Sequence, residues 1–306
     1  MIGIIILNYN SFGDTIKCIH SIEGTTTLLY KIFVVDGCSH DNSYEYLVKY
    51  FIGYKNVKIL KTDINGGYSY GNNLGAKQAI DEGAEVLLII NPDVVLKTNA
   101  IDLMNNALLN QQDLAVVGPR ILNNNEENIQ FASKLYTFRG FLCSKKPLAY
   151  FNNRFITEKR YYSFNSNDDY CFQGMVSGCC FMIKANDLKS IGFFDTNIFL
   201  YYEEDVIAYK LFNLNKLTKI ISDAVVVHNH SNTVKKEGAA FMRLHRFISA
   251  QYVLKEYAGI NKFQFMLVSI FHILPFTINA LFYKPYRKYY AIFLKKLTLL
   301  YMSYSQ

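Results

Sequence analysis

Residues 2–36, IGIIILNYNSFGDTIKCIHSIEGTTTLLYKIFVVD, contain two short apolar runs separated by a stretch of helical character. Ile2–Leu7 and Ile32–Val35 are uncharged and rich in isoleucine and valine, which is typical of buried strands. Between them, Ser11 and Asp14 form a capping-box pattern, which predicts the start of a helix. A strand, a helix and a second strand at this spacing predict a crossover between parallel strands.

The same alternation continues along the chain as far as residue 90. We predict helices at Ser43–Phe51 and Gly71–Glu82, and strands at Val57–Lys61 and Val86–Ile90. This succession predicts an α/β fold with a Rossmann-like, mostly parallel sheet that is flanked by helices. Ligands of such sheets bind where the strands end in loops, so those loops are candidates for the functional site.

The second half of the chain is less regular. Residues 123–169 are polar, aromatic and poorly periodic, and we interpret them as a variable insertion or an acceptor-side lobe. An apolar strand is predicted at Gly174–Lys184. The elements predicted after it are helices at Asn186–Ile191 and from the acidic segment to Phe212, and a strand at Ala224–Val227. We expect one domain over residues 1–240 and a helical, partly hydrophobic segment over residues 241–306.

The amino-acid composition limits the classes of molecule that the chain is expected to bind. The chain has 306 residues, of which 51% are hydrophobic and 19% charged, enough for one large domain plus an appendage. Lys and Arg outnumber Asp and Glu by 32 to 25, giving a net charge of +7 that suits phosphates or an anionic membrane surface. Without an arginine-rich tract or a zinc-ligand spacing, we expect no nucleic-acid partner.

Cysteine spacing and the first residues both indicate a cytosolic protein. The six cysteines form no C-x-x-C pair, which favours reduced, buried thiols over a disulfide framework. The apolar run that follows Met1 lacks a basic region and a cleavage site, so we interpret it as a strand and not as a signal peptide.

A second apolar stretch lies near the other end of the chain. Phe263–Tyr283 carries no Asp, Glu, Lys or Arg, and about 20 such residues are enough to span a bilayer. Pro275 and scattered polar groups are compatible with an in-plane or hairpin-like insertion instead, and a buried helix pair is a third possibility. The cations that follow favour association with the inner face of the membrane; they are Lys284, Arg287, Lys288, Lys295 and Lys296.

Two polar loops follow predicted strands of the first half. Asp36 ends the second strand and could accept hydrogen bonds from a nucleobase or ribose, with Asp41 capping the next helix. Asn65–Gly75 is a glycine- and asparagine-rich turn that enters a helix without a Walker lysine. It either brings backbone amides close to anionic oxygens or is an ordinary tight turn with an N-cap.

Asn91-Pro92-Asp93 follows the fourth predicted strand. If the chain stays extended, Asn91 and Asp93 lie on the same side. A hard cation such as Mg²⁺ or Mn²⁺ often needs only one protein carboxylate, because phosphate oxygens and water complete its shell. The other interpretation is a turn that ends the strand.

Two further clusters carry titratable side chains. Glu203, Glu204 and Asp205 open a helix, where one carboxylate could act as a general base while a neighbour orients it. Their crowding is expected to raise the pKa of one of them; the alternative is favourable charge at a helix N-terminus. His228 and His230 follow a strand and could supply a metal ligand, a diphosphate contact or only structure.

In order along the chain, the motifs resemble those of glycosyltransferase family 2, the inverting GT-A enzymes, and especially its rhamnosyltransferase-like members in bacterial polysaccharide assembly. The matching segments run from about Ile2 to His230: Asn8–Asn10, Asp36 with Ser39 and Asp41, Asn65–Gly75, Asn91–Asp93, Val176–Gly178, Gly192–Asp195 and Tyr201–Asp205.

The resemblance implies a GT-A fold with a nucleotide-sugar-binding half over residues 1–120 and an acceptor-side half over 121–240. It implies Mg²⁺ or Mn²⁺ as cofactor, a nucleotide-diphosphate sugar as donor, and a saccharide or lipid-linked saccharide as acceptor. Glu204 is the implied base, with Asp205 as rival and Glu203 beside them, and Asp93 is the implied metal ligand, joined by His228. The donor-binding residues predicted on this basis are Asn10, Asp36, Ser39, Asn73, Asn91 and Gly178.

Three other classes remain to be separated from a hexosyltransferase. A nucleotidyltransferase typically has a basic, glycine-rich loop after its first strand, whereas Asn8–Gly13 carries no cation. A non-catalytic nucleotide-sugar-binding module would not need three acids in a row. A dehydrogenase would show G-x-G-x-x-G after the first strand, and it does not occur there.

Overall fold

Strands and helices alternate through the first half of the chain, as the periodicity predicts. The structure, a computed structural model, describes residues 1–97, 99–129, 132–144, 162, 168–229 and 236–305. Its strands are β1 Ile2–Asn8, β2 Tyr30–Asp36, β3 Val57–Lys61, β4 Val86–Ile90, β5 Val94–Leu96, β6 Leu114–Leu122, β7 Ala132–Ser133, β8 Tyr170–Phe172, β9 Met175–Val176, β10 Cys180–Lys184 and β11 Leu217–His228. Its helices are α1 Phe12–Ile22, α2 Ser43–Tyr50, α3 Gly67–Asp81, α4 Ala100–Leu109, α5 Phe138–Cys143, α6 Ala185–Ser190, α7 Glu203–Phe212, α8 Lys236–Glu256, α9 Lys262–Phe282 and α10 Lys284–Met302.

Within the described residues, the main sheet has the strand order β3-β2-β1-β4-β10-β6-β11-β5, with β8 paired to β11. Its first four strands are parallel, while β10 runs antiparallel to both β4 and β6. β1 lies between two strands and is covered on both faces, so Ile4, Ile5 and Ile6 are fully buried. The predicted α/β fold with helices on the sheet is confirmed, and the carboxyl ends of β1, β2 and β4 lie along one edge.

Helix α3 begins at Gly67, four residues before the predicted start at Gly71. The backbone N–H of Tyr68 donates to the carbonyl of Phe199 at 3.0 Å, which holds the first turn against a distant loop. Gly67 has a φ of +83°, and a β-carbon there would overlap the Phe199 carbonyl. The stretch Asn65–Gly75 does enter a helix as predicted, but the helix begins at Gly67, so the turn is shorter than predicted.

Three other local predictions are also corrected. Ser11 stands at the N-cap of α1, but its hydroxyl donates to Asp14 at 3.2 Å and makes no cap bond to the backbone. The N-cap of α2 is Asn42, although Asp41 accepts from the backbone N–H of Ser43 at 3.1 Å. The predicted strand Gly174–Lys184 is interrupted, because residues 177–179 form a bend that separates β9 from β10.

The C-terminal helices share a hydrophobic core with the rest of the molecule. Val206 and Tyr209 of α7 are buried in one cluster with Val253 of α8 and Phe265 of α9. The predicted boundary at residue 240 falls inside α8, so no element ends there. The division into domains stays a prediction.

Helix α9 is apolar on two opposite faces. Phe265, Val268, His272 and Phe276 point inward and are buried. The outer face is a stripe with helical spacing that consists of Phe263, Met266, Ile270, Leu274, Ile278 and Leu281, each at least 48% exposed. By length and composition, α9 is the one helix among the described residues that could cross a membrane. Within its most apolar stretch of 18 residues, 28% is buried. It continues through Pro275 as a single helix.

Of the cysteines whose side chains the structure describes, all are free thiols. Cys18, Cys179 and Cys180 are buried as predicted, but Cys171 is exposed on the short strand β8.

Candidate active site

A cavity of about 580 Å³ opens beyond the carboxyl end of β4. Segments that are far apart in sequence line it: the turn after β4, the bend before β10, the start of α7, the end of β11, and α8. Asp93, Glu203, Glu204 and Asp205 all belong to this lining. Asp93 and the acidic cluster therefore face one cavity.

Asn91 and Asp93 reach this cavity through a turn. β4 ends at Ile90, and the backbone N–H of Val94 donates to the carbonyl of Asn91 at 3.2 Å. The chain turns at Pro92 instead of staying extended, which is the second of the two interpretations, yet both side chains line the same cavity. The backbone N–H of Asn91 also donates to the backbone carbonyl of Cys179 at 2.8 Å. This hydrogen bond joins the turn to the bend before β10.

The acidic cluster is held by unusual backbone geometry. Tyr201 and Tyr202, which precede α7, have φ angles of 71° and 73°, a left-handed conformation that costs energy for side chains of this size. The kink sets the direction of the three acids that follow. Glu203 and Asp205 are buried, whereas Glu204 keeps partial solvent access in the cavity.

Glu203 carries the raised pKa that crowding predicts. Burial disfavours its charged form and the neighbouring Glu204 carboxylate adds negative charge, so the pKa of Glu203 lies well above its ordinary value. Its Oε1 has no hydrogen-bond partner in the described part of the chain. Glu203 therefore favours the protonated acid beside an ionisable neighbour.

Gly178 makes room for Glu204. A β-carbon at position 178 would overlap Oε1 of Glu204 and lie 2.6 Å from its Cδ. The carbonyl of Gly178 accepts a hydrogen bond of 2.8 Å from the hydroxyl of Tyr68. The predicted contact of Gly178 with the donor stays a prediction, while its contact with the acidic cluster is direct.

Asp93 and His228 form a pair in the cavity, with 3.2 Å between Oδ1 and Nε2. Burial alone would lower the pKa of His228, but its hydrogen bonds to Asp93 and Cys179 raise it to about 10. Among the residues that the structure describes, no group of three or more His, Cys, Asp or Glu side chains is placed to hold a metal. One carboxylate and one imidazole nevertheless fit a cation whose other ligands are phosphate and water, provided that His228 releases its proton. His230 lies outside the described residues.

Asp36 is at the same sheet edge but does not line the cavity. It is fully buried and accepts hydrogen bonds from Asn8 Nδ2 at 2.8 Å and from the backbone N–H of Ser39 at 2.9 Å. The hydroxyl of Ser39 in turn accepts from the backbone N–H of Asn10 at 2.9 Å, and Asn10 Oδ1 accepts from His40 at 2.8 Å. Asp36, Ser39 and Asn10, which are all predicted to bind the nucleotide-sugar donor, are thus joined in one hydrogen-bond network at the ends of β1 and β2.

Asn73 lies apart from these groups. Its amide donates to the carbonyl of Phe194 at 2.9 Å and accepts from the N–H of Phe194 at 3.0 Å. Because both ends of the amide bind the same backbone residue, the geometry gives Asn73 a role in fixing the loop before α7. The predicted proximity to the donor has no support in these contacts.

Sequence reasoning missed three residues that build the site. Asn8 joins Asp36 to α1, since its Oδ1 accepts from the Thr15 hydroxyl at 2.8 Å. Tyr68 is partly buried behind Gly178, and its place in the Asn-x-Gly-Tyr motif was a usable signal. Arg246 of α8 lines the cavity and lies 4.9 Å from the Tyr201 ring centroid, which no local pattern indicated.

Comparison with known families gives one match over more than half of the chain. The family model described as glycosyl transferase family 2 matches residues 3–192. The match ends before Glu203, so the position of the acidic cluster in the cavity comes from the structure.

Two curated relatives are similar in sequence. The low-salt glycan biosynthesis hexosyltransferase Agl10 of Haloferax volcanii is 26% identical over 215 residues, which make up 68% of this chain and 61% of the relative. An N-acetylglucosaminyl-diphospho-decaprenol L-rhamnosyltransferase of Mycobacterium tuberculosis is 20% identical over 268 residues, 85% of this chain and 86% of that protein. This chain thus spans less than two thirds of the first relative's length.

Solved structures share the fold. GalNAc-T7 with UDP, GalNAc and Mn²⁺ superposes with a TM-score of 0.59 at 15% identity, over 76% of this chain and 44% of that one. TarS 1-349 of S. aureus superposes with a TM-score of 0.50 at 14% identity, over 87% and 68% respectively. At such low identity the likeness concerns the fold alone.

Proposed function

The chain belongs to glycosyl transferase family 2 and has its GT-A fold, and on this premise we propose that it transfers a hexose-type sugar from a nucleoside-diphosphate donor to a saccharide hydroxyl. One observation carries the proposal: Asp93, after β4, and Glu204, at the start of α7, line the same cavity. A transferase needs a group that stabilises the leaving diphosphate and a base that faces the acceptor. These two side chains supply both at one place.

Glu204 is the proposed general base. It is the one acid of the cluster with partial solvent access, so an incoming hydroxyl reaches it more readily than it reaches Glu203 or Asp205. Glu204 takes the proton of the acceptor hydroxyl while the oxygen attacks the anomeric carbon from the face opposite the nucleotide. Single in-line displacement of this kind inverts the anomeric configuration and needs no covalent intermediate.

Asp93 and His228 are the proposed ligands of Mg²⁺ or Mn²⁺, with Asn91 beside them. When bound, the cation offsets the charge that develops on the departing diphosphate. Arg246, at the wall formed by α8, adds a second positive charge on the same cavity.

Asp36, Ser39 and Asn10 are the proposed site for the nucleoside. Each oxygen of Asp36 already accepts one hydrogen bond, from Asn8 or Ser39, which fixes the direction of the carboxylate. Asp36 is fully buried, so its part in this site is to hold the partly exposed Ser39 and, through it, the exposed Asn10, which face a ribose hydroxyl or a base N–H at the sheet edge. The edge of the sheet then holds the nucleoside beside the cavity that holds the sugar.

The proposed acceptor is a lipid-linked saccharide used in cell-surface polysaccharide synthesis, and rhamnose is one candidate for the donor sugar. Both suggestions draw on what the two relatives are named for. The exposed stripe of α9 and the cations of α10 support a peripheral position at the cytoplasmic face of the membrane, where a lipid-linked acceptor presents its head group.

The test is a panel of UDP-, dTDP- and GDP-sugars incubated with Mn²⁺ and a mixture of lipid-linked saccharides, with products identified by mass spectrometry. We expect one donor to yield a product heavier by one sugar, with inverted configuration. Glu204→Gln should lower turnover by about a hundredfold or more while donor binding persists. Glu126→Gln, whose side chain is 76% exposed, is the matched control.

Three results would change the proposal. If Asp205→Asn abolishes turnover and Glu204→Gln does not, the base is Asp205. If no donor is hydrolysed or transferred but one still binds, the chain is a nucleotide-sugar-binding module. Release of pyrophosphate from a nucleoside triphosphate and a sugar phosphate would instead identify a nucleotidyltransferase.

A further inference from the structure

A second cavity, of about 270 Å³, lies beside the candidate active site. The loop before α7 supplies Asn197 and Phe199 to its wall, α8 supplies His245 and Tyr252, and α10 supplies Lys296 and Leu299. Apart from Lys296, which is one of the α10 cations, none of these residues has a part in the function proposed above.

The two cavities share a wall. Phe199 lines the second cavity, and the next residue, Leu200, lines the first. In the same way, His245 lines the second cavity and the next residue, Arg246, lines the first. The hydroxyl of Ser249 donates to the carbonyl of Leu200 at 2.8 Å and closes this wall. The two cavities are therefore adjacent, separated by the thickness of one stretch of chain.

His245 is the unusual residue of the second cavity. It is 8% exposed, and its ring packs against those of Phe199 and Phe241, with centroid distances of 4.5 and 4.4 Å. Neither ring nitrogen makes a hydrogen bond to any part of the chain that the structure describes. Burial, followed by the charge of Lys296, lowers the pKa of His245 to about 4. The ring is therefore neutral at physiological pH and offers one donor and one acceptor.

The charges around this cavity largely offset each other. Lys296 is exposed at its rim. The hydroxyl of Tyr252 donates to Asp195 at 2.8 Å, which places a carboxylate behind the wall. Burial works against ionisation of Asp195, but the hydrogen bonds from Tyr257, Asn197 and Tyr252 outweigh it and lower its pKa, so that it remains charged. Lys296 contributes one positive charge and Asp195 one negative charge, so the cavity has little preference for an anionic ligand.

Apart from Asn197 and Ser249, the remaining lining is aromatic and aliphatic, from Phe199, Tyr252, Ile248, Leu299 and Leu300. A sugar ring presents C–H groups on its faces and hydroxyls, each both donor and acceptor, around its edge. Such a ring matches apolar walls combined with a neutral imidazole, because pockets of this kind use a few placed polar groups to orient a ligand.

We propose that the second cavity is a subsite for a neutral sugar residue of the acceptor, next to the residue that is glycosylated, with His245 bonding its hydroxyls. This inference rests on the proposed function, since it assumes that the first cavity holds the reacting sugar. It makes the C-terminal helices α8 and α10 part of acceptor recognition.

The test uses ligand-observed NMR with methyl glycosides of glucose, galactose, rhamnose and N-acetylglucosamine, in the presence of Mn²⁺ and UDP. We expect at least one glycoside to bind the full-length protein. His245→Phe keeps the ring stacking and removes the nitrogens, and Leu299→Trp fills the cavity from an exposed position. Each should weaken binding about tenfold or more, which corresponds to about 1.4 kcal/mol. His20→Phe, at a surface histidine, is the control.

Separate signals distinguish the possible failures. Hydrolysis of the donor without acceptor should stay unchanged in both cavity variants. The subsite is disproved if no glycoside binds, if binding is equal in both variants and the wild type, or if inorganic phosphate binds there in a Lys296-dependent way. If His245-dependent binding persists but no nucleotide sugar is hydrolysed, the proposed transfer fails and with it the assignment of this sugar to an acceptor.

Discussion

Gly178 and Glu204 are packed so closely that the carboxylate occupies the space where any other residue at 178 would place its β-carbon. The contact joins the bend before β10 to the first turn of α7. It fixes the side chain that we propose as the base. On the side of residue 178 the contact is made by backbone atoms, because glycine has no side chain that could rotate away.

Replacing Gly178 by Ala should therefore displace Glu204 and lower kcat. The added methyl would lie 2.6 Å from Cδ of Glu204, so the carboxylate must move. Misplacing a reacting group by about 1 Å costs about a hundredfold in rate. KM for the donor should change little. Steady-state kinetics measures both. Gly13→Ala, at a helical glycine with nothing within 4 Å of a β-carbon, should be silent.

Glu203→Gln should stabilise the protein increasingly as the pH rises. The folded state holds the pKa of Glu203 well above its ordinary value, so its contribution to stability is complete below the unfolded pKa of about 4.3 and declines as pH rises. Glutamine has no charge to bury. We expect the difference in free energy of unfolding between variant and wild type to grow from pH 5 to pH 8, at no more than about 1.4 kcal/mol per pH unit.

Urea denaturation at several pH values, without nucleotide or metal, measures this difference. Glu45→Gln, whose side chain is 62% exposed, serves as the control and should show no such trend. A difference that stays constant with pH would mean that Glu203 ionises as readily in the folded protein as in the unfolded chain.

Asp93→Asn should weaken activation by Mn²⁺. The substitution keeps the size of the side chain but removes the carboxylate that pairs with His228 in the cavity. We expect the Mn²⁺ concentration for half-maximal activity to rise about tenfold or more, measured by titrating Mn²⁺ into the donor-hydrolysis assay. Asp223→Asn, on an exposed position of β11, should leave the titration unchanged. Equal titrations for the Asp93 variant and the wild type would remove Asp93 from the metal site.

The outer stripe of α9 should bind membranes. Ile270 and Leu274 are 58% and 60% exposed in its centre, so changing both to Asn removes apolar contact without opening the core. Co-sedimentation with vesicles of phosphatidylcholine and phosphatidylglycerol should be strong for the wild type, weaker in high salt, and largely lost in the double variant.

A second double variant controls for the loss of exposed apolar surface in general. Leu29 and Ile52 are 74% and 80% exposed in the N-terminal half, and their change to Asn should leave vesicle binding intact. If wild-type protein does not sediment with vesicles, the exposed stripe has another partner.

Much of the fold was readable because it follows from local pattern. β1, β2 and β4 each contain a continuous apolar run, as strands buried on both faces must, whereas the edge strand β3 includes Lys58 and Lys61. Errors arose where a distant segment set the geometry. α3 begins early because Phe199 accepts from Tyr68, and Asn73 turns to Phe194 instead of towards the candidate donor site.

The amino-acid sequence by itself determined the alternating elements, the parallel half of the sheet and the acids at its strand ends, since hydrophobic period and turn chemistry are local properties of a chain. Only the tertiary structure decided that Asp93 and Glu204 line one cavity, that Gly178 is needed for Glu204, and that α8 contributes Arg246 and His245. These relationships depend on how β10, β11 and the C-terminal helices pack against the parallel strands. That packing is a balance of contacts between remote residues, which no short segment encodes.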